Sequence, residues 1–335
     1  MSAPLIFITC ATGFIGSATA LEALKAGYRL RIGVRKNSDK LKELLSDYSD
    51  QTEFVIISNL TDEAVFRGKL DGVDYVLHLA SPVPHGIDKE AYFPPAIKGI
   101  LAILKESEKV SSIKKVVITS SAVSLFPLDG IPEGAVVKEA NDWDLTVDPN
   151  ANFVDPNDPV TSAMTLYQVS KLLADKAAWD FWKTNKPHYS LVTLYPVYVY
   201  GHNLMQVSAE GIQAGSNGIF WNTVMKGTPA GDLAITGVHV QDVAEAHIKA
   251  LQPEIEGGSK YLLAGKPTTW NDVARIVREA YPNIGGKLTE GAQGASVPTD
   301  TSKAENELGI KWRSWEEIVR DVIDQQLAFL QSLTM

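Results

Sequence analysis

Leu5-Ile6-Phe7-Ile8-Thr9-Cys10-Ala11-Thr12-Gly13-Phe14-Ile15-Gly16, near the start of the chain, decides the fold. Pro4 to Thr9 carries no charge and reads as a buried strand, and Ser17 to Ala26 then takes helical spacing, closed by Gly27. Glycines lodged between a first strand and a first helix let the backbone approach a pyrophosphate. The helix N-terminus receives that anion with free N–H groups and the positive end of its dipole. The usual fingerprint has a further glycine where this chain has Cys10. A Cβ there either fits tolerable dihedrals or shifts the loop. The expectation is a packed, tolerated substitution, set against a thiol activated by the helix end.

Working outward, Tyr28 to Val34, Glu53 to Ile57, Val73 to Leu79 and Lys115 to Ser120 read as further strands, with a helix over Pro95 to Val110. Such βαβα alternation places the chain in the α/β class, as a doubly wound parallel Rossmann sheet with right-handed crossovers. From Asp129 to Pro159 the pattern lapses into a polar loop rich in Asp, Asn and Pro, long enough to suggest a lid. Helical spacing resumes from Ser162 to Trp182, a strand follows at Ser190 to Val197, and glycine-rich connections come beyond Tyr200. A strand-then-helix unit at Val238 to Leu251, a short strand at Tyr261 to Leu263, and helices near Trp270 to Tyr281 and Trp315 to Leu333 complete the pattern. The expected organisation is a dinucleotide-binding domain over residues 1–195, to which 235–265 returns, and a smaller C-terminal substrate-binding lobe from 196–234 and 266–335.

A length of 335 residues allows about two domains. With 45% hydrophobic and 21% charged residues the composition is that of an ordinary globular chain. The 31 basic and 40 acidic side chains give a formal charge of −9, and no Lys/Arg cluster stands out, which argues against nucleic acid or a membrane surface as partner. A single cysteine excludes an internal disulfide framework and a Cys-rich metal site, and fits a reducing, cytoplasmic location. Leu5 to Ala20 imitates a secretory apolar segment, but the first basic residue is Lys25, so no signal peptide is expected. The histidines are scattered and form no metal-ligand pair, so no metal is expected either.

The residues after each strand carry the chemistry. The second strand ends Ile32-Gly33-Val34-Arg35-Lys36, with no acid to bind the ribose 2′-hydroxyl of NAD. Arg35, with Lys40 in reach, suits the 2′-phosphate of NADP instead. Asn59, beside Leu60, can hydrogen-bond an adenine edge, and Leu79-Ala80-Ser81 suits close backbone passage beside a cofactor. His78 reads as a satisfied core histidine. The fifth strand ends Thr119-Ser120-Ser121, and Tyr167 and Lys171, at i and i+4, share one face of the next long helix. There the ammonium can depress the tyrosine pKa from about 10, so that the phenol donates a proton to a developing alkoxide while Ser121 holds the same oxygen.

With these features the sequence resembles the extended short-chain dehydrogenase/reductases, in the branch of dihydroflavonol-reductase-like enzymes and fungal carbonyl (keto)reductases. The matching residues are Thr12-Gly13-Phe14-Ile15-Gly16, His78 to Pro82, Pro95-Ala96-Ile97-Lys98-Gly99, Thr119 to Val123, Tyr167 with Lys171, Ala177-Ala178-Trp179 and His239 to Ala244. The resemblance implies that Tyr167 is the general acid, that Lys171 binds the nicotinamide ribose and lowers the tyrosine pKa, and that Ser121 orients a carbonyl. It implies NADPH as the cofactor and hydride source, with Pro196 and Val199 passing the nicotinamide. The expected cofactor set is then Thr12, Gly13, Phe14, Ile15, Arg35, Lys40, Asn59, Leu60, Leu79, Ala80, Ser81, Tyr167, Lys171, Pro196 and Val199. The family often has Asn before that proline and Gly-Pro after it, where this chain has Tyr195 and Gly201-His202.

Val83, Phe126, Met164, Tyr198, Ile219, Phe220 and Trp221 are candidate walls of an apolar pocket suited to a neutral hydrophobic aldehyde or ketone, and each can equally belong to a lobe core. A sugar-nucleotide epimerase or dehydratase uses the same triad, but commonly has an acid after the second strand and Pro-Tyr-Gly at the tyrosine. Here Arg35 and Leu166-Tyr167-Gln168 stand in those places. A non-catalytic NADP-binding relative typically loses the tyrosine or lysine. The expected function is NADPH-dependent reduction of a small hydrophobic carbonyl substrate by a monomer or homodimer.

Overall fold

The computed structural model of the chain describes residues 3–213, 215–227, 235–292 and 294–332. The parts of the expected domain and lobe at 1–2, 214, 228–234, 293 and 333–335, Leu333 included, lie outside the described residues.

Leu5–Thr9 forms β1 and is buried along its whole length, as a strand covered by helices on both faces must be. Beside it run β2 (Arg29–Val34), β3 (Thr52–Ile56), β4 (Tyr75–His78), β5 (Lys115–Thr119) and β6 (Ser190–Pro196). Two further strands, β7 (Tyr198–Tyr200) and β8 (Gly237–His239), pair with each other in a separate parallel ribbon, and β9 (Ser259–Leu263) returns to the main sheet. The seven-stranded order is β3-β2-β1-β4-β5-β6-β9, with every pairing parallel. All carboxyl ends therefore meet one edge, and the order reverses between β1 and β4, where open α/β sheets place their ligands. Thr9 stands opposite both Gly33 and His78 in the register.

Alternate residues of β1 feed the two layers. Ile6 and Ile8 pack with α1 (Phe14–Lys25), while Leu5 and Phe7 face α3 (Phe93–Glu108) and α4 (Pro159–Asn185). Between α1 and α3 lies the short α2 (Asp39–Leu44). On the first face α1 packs against α6 (Val240–Lys249), and Ala18, Ala20, Val243 and Ala246 keep that layer thin. A third cluster joins α5 (Ser216–Lys226), α7 (Trp270–Ala280) and α9 (Trp315–Ser332) through Phe220, Trp221, Trp270, Trp315 and Ile318, with Tyr200 from β7; α8 (Ser302–Glu307) lies between the last two helices. Among the described residues no helix is long and apolar enough to cross a membrane.

Three readings of the sequence differ from the structure. The glycine-rich stretch beyond Tyr200 contains α5, because Gly215 and Gly227 bracket a helix with φ of +115° and +87° instead of marking a loop. The long helix begins at Pro159, before Ser162: proline pre-sets the first helical φ, and Asp158 accepts from the Thr161 amide at 3.0 Å. The polar loop before it is docked, not a free lid. Asp144, Asp148, Asn152 and Asp155 each accept the amide two residues on, and Val137 bridges Thr299. Phe153 and Val154 pack on Leu166 and Val169. Glu139 accepts the Leu262 amide at 2.6 Å, satisfying a donor on the outermost strand.

Candidate active site

The loop after β1 is shaped by contacts that only glycine permits. A Cβ on Gly16 would lie 2.0 Å from the Cys10 carbonyl oxygen, and one on Gly13 would meet the Cys10 thiol at 3.1 Å. Gly13 is the N-cap of α1, no side chain caps it, and no acid stands in the first turn. The first helical N–H groups are thus left for an anion, in a cradle that a Cβ would fill. Cys10 corrects the sequence reading. It is exposed, not packed, and it adopts φ of +61°, the left-handed conformation that a glycine takes without cost. Nor is its thiol activated: crowding by the surrounding chain pushes its pKa up, with Arg35 and Lys171 pulling only partly against that.

Arg35 follows the last residue of β2 and is exposed; among the described residues neither it nor Lys40 is paired with a carboxylate. Asn59 is exposed after β3, with its carbonyl oxygen already accepting from the Thr61 amide and hydroxyl at 3.0 and 2.9 Å, so only its –NH₂ is free to read a ligand. Leu60 lies beside it, half-buried. Leu79 and Ala80 donate their amides to the Thr9 hydroxyl at 3.1 and 3.2 Å. With both lone pairs engaged, Thr9 gives its proton to His78 Nδ1 at 3.2 Å. Burial, helped by Lys171, holds His78 neutral with a pKa of about 4, which makes it the satisfied core histidine expected. These bonds fix Leu79 and Ala80 opposite the loop after β1, across the reversal of strand order. Pro196 ends β6 and Val199 lies in β7, both buried.

Ser121 follows β5 and caps the turn Ala122–Leu125, and its hydroxyl lies near enough to that of Tyr167 on α4 to pull the phenol pKa down. Gln168, beside that tyrosine, donates through Nε2 to the carbonyls of Val123, Phe126 and Pro127, each at 3.2 Å, and so ties the turn to the helix. Lys171 is buried one turn further on, with Nζ 5.6 Å from the centroid of the Tyr167 ring. The expected depression of the tyrosine pKa by Lys171 is not what this geometry gives. The ammonium faces the ring, and burial pushes the phenol above its ordinary value, with Ser121 opposing and Tyr198 adding to the rise. Burial also lowers Lys171 to about 8, against the pull of Asp175 and Cys10.

Of the candidate pocket walls, Tyr198 lies near Tyr167, and Val83 and Met164 are exposed, Met164 one turn before Tyr167 on α4. Ile219 is exposed on α5. Phe220 and Trp221 are lobe core: the Phe220 ring lies 5.5 Å from that of Tyr200 and 6.0 Å from that of Trp270, and Trp221 belongs to the same cluster. Phe126 packs beside the cluster of Val137, Tyr195 and Leu262. His239 caps α6 through Nδ1 and meets Asp321 at 2.9 Å, while Asp242 holds Arg313, so both anchor the helix. Sequence reading missed Thr9, Gln168 and Asp175. Asp175 alone carried a signal, its place four residues after Lys171 on the same helix face.

The model of the NAD dependent epimerase/dehydratase family matches residues 6–264. The ketoreductase sphI of Aspergillus fumigatus is 56% identical over 98% of this chain and 99% of that protein. The anthocyanidin reductase of Arabidopsis thaliana is 29% identical over 96% of this chain and 93% of that protein. Among solved structures, Gre2 of Candida albicans in complex with NADPH superposes with a TM-score of 0.78 at 25% identity, over 97% of this chain and 99% of the other. A family match across most of the sequence, joined to a relative identical at more than half of its positions end to end, leaves one assignment: the chain belongs to the NAD dependent epimerase/dehydratase family, the extended short-chain dehydrogenase/reductases, in their fungal carbonyl reductase branch.

Proposed function

We propose that the chain reduces the carbonyl of a neutral, apolar aldehyde or ketone with NADPH. The observation that carries this reading is the nearness of the Ser121 and Tyr167 hydroxyls beside the Lys171 ammonium, set at the sheet edge next to an uncapped helix end. Residues 1–195 with 235–265 would hold the cofactor, and 196–234 with 266–335 the substrate. The N–H groups that open α1 would receive the pyrophosphate between Thr12 and Ile15, with Arg35 and Lys40 on the ribose phosphate, Asn59 and Leu60 at the adenine, and Leu79 to Ser81, Pro196 and Val199 lining the way to the edge. NADPH, when bound, supplies the hydride. Ser121 orients the carbonyl oxygen, Tyr167 hands it the phenolic proton, and Lys171 holds the ribose while its charge favours the phenolate left behind. That last effect operates against the burial that raises the phenol in the free chain, so proton donation, not early ionisation, is the role this site suits. Val83, Met164 and Tyr198 would meet the substrate. The naming of relatives as ketoreductases and of Gre2 as an NADPH complex supports the same reading.

Oxidation of NADPH and of NADH, followed with a panel of ketones and aldehydes, tests it. Turnover is expected with NADPH, and Arg35→Ala should erode the preference over NADH by roughly 10-fold or more, the worth of one charge-assisted phosphate contact. No oxidation of either nucleotide, alongside turnover of a UDP- or GDP-sugar, overturns the reductase reading; an unchanged NADPH-to-NADH ratio in Arg35→Ala overturns the cofactor assignment.

A further inference from the structure

Lys171 and Asp175 stand one turn apart on α4, and both line a narrow pocket of about 20 Å³ with His78, Ser81, Thr119 and Ser120. That is room for one water among polar partners. The Asp175 carboxylate is held from two sides. Tyr195 donates its hydroxyl proton to Asp175 Oδ1 at 2.8 Å, and it can do nothing else with that proton, because Trp179 Nε1 donates to the same hydroxyl oxygen at 3.2 Å. Lys260 on β9 places Nζ 3.6 Å from Asp175 Oδ2, over the rings of Trp179 and Tyr195 at 4.9 and 5.7 Å.

An ammonium as deeply buried as that of Lys171 discharges unless an opposite charge stays beside it. The groups facing it are Cys10 from the loop after β1, His78 from β4, and Tyr167 and Asp175 from its own helix, while Tyr195 from β6 and Lys260 from β9 face Asp175. Around neutral pH, burial keeps His78, Tyr167 and Tyr195 uncharged, and crowding by the surrounding chain raises the Cys10 thiol. Burial raises Asp175 as well, with Lys260, Tyr195 and Lys171 pulling it back down; it is the one carboxylate in the group, and Lys260 the cation that competes for it. Resting on the cofactor reading above, we infer that Asp175 is a positioning residue for Lys171: its carboxylate, fixed by Tyr195, keeps the Lys171 ammonium charged inside the protein, and Lys260 draws on the same carboxylate from the far side.

Two neutralising substitutions then act in opposite directions, which a merely structural role would not produce. NADPH affinity, read by fluorescence titration between about pH 6 and 9.5, falls on the alkaline side as Lys171 loses its proton, with a midpoint near 8. Asp175→Asn should move that midpoint down by about one pH unit or more, Asp175→Glu should restore it, and Lys260→Met should move it up. Unmoved midpoints, midpoints that move the same way in Asp175→Asn and Lys260→Met, or an equal loss of affinity at every pH overturn the inference. Should Asp175→Asn show no folding transition, Lys260→Met decides alone: a raised midpoint supports the inference, and an unchanged or lowered one overturns it. The readout is binding, so a chain that binds NADPH and reduces no carbonyl would lose the reductase reading while the midpoints still decide this one.

Discussion

Cys10 and Gly16 show how closely one residue's conformation constrains another's. The left-handed turn at Cys10 sends its carbonyl oxygen back toward the helix, to a point 2.0 Å from where a Gly16 Cβ would sit. The same carbonyl accepts the Gly13 amide at 2.9 Å, so it cannot rotate away without undoing the turn. Gly16→Ala therefore has to displace the loop that presents the helix-terminal N–H groups. We expect it to destabilise the fold by about 1–3 kcal/mol, the usual cost of overpacking, and to weaken NADPH binding by roughly 10-fold or more through the shifted N–H groups. Thermal melting and fluorescence titration read the two effects separately; unchanged affinity at unchanged stability would show that the loop has room the geometry denies. Cys10 itself bears the strain that the usual glycine avoids, of order 1 kcal/mol.

At the scale of elements, α4 has to meet the turn after β5 at one height for Tyr167 and Ser121 to face one substrate oxygen, and Gln168 supplies the tie. Its –NH₂ divides two protons among three carbonyls of that turn. Gln168→Leu leaves those carbonyls without their donor, a loss of about 1–2 kcal/mol, and we expect kcat to fall roughly 10-fold with NADPH affinity unchanged, since the misplacement lies between proton donor and substrate. Equal losses in kcat and affinity would place Gln168 in the general scaffold. The β-strands were legible because a strand buried on both faces is an apolar run bounded by turn residues, and the residues after them were legible because parallel strands bring every such loop to one edge. Gln168 was not, since a glutamine bonded to backbone carbonyls forty residues away leaves no pattern in its own neighbourhood. Nor were Phe220 and Trp221 separable from pocket walls: an aromatic residue reads the same whether a lobe or a ligand covers it, and here Tyr200 and Trp270 cover Phe220. The docked loop was misread because its polar residues bond to their own backbone and its few apolar ones, Val137, Phe153 and Val154, do the packing.

Over the whole molecule, two buried histidines tie acid stability to the layers of the fold. His78 accepts from Thr9 between β1 and β4, and His247 joins α6 to β5, its Nδ1–H donating to the Val243 carbonyl at 2.7 Å and its Nε2 accepting from the Thr119 hydroxyl at 2.6 Å. The bonds from Thr9 and Thr119 each require an unprotonated ring nitrogen, and burial lowers both pKa values to about 4. The ordinary histidine value is about 6.5. Between those two values the unfolded chain binds protons that the folded chain refuses, so stability rises with pH across that window and falls as pH drops through it. Each ring then withdraws on the order of 3 kcal/mol of stability by pH 4. Urea unfolding across this range should show proton uptake approaching two per molecule near pH 5, before the carboxylates contribute much, and the His247→Gln variant should lose about one proton of that uptake. A stability flat from pH 6.5 to 4.5 would mean that both rings protonate in place, and that the layers they join can open around a charge.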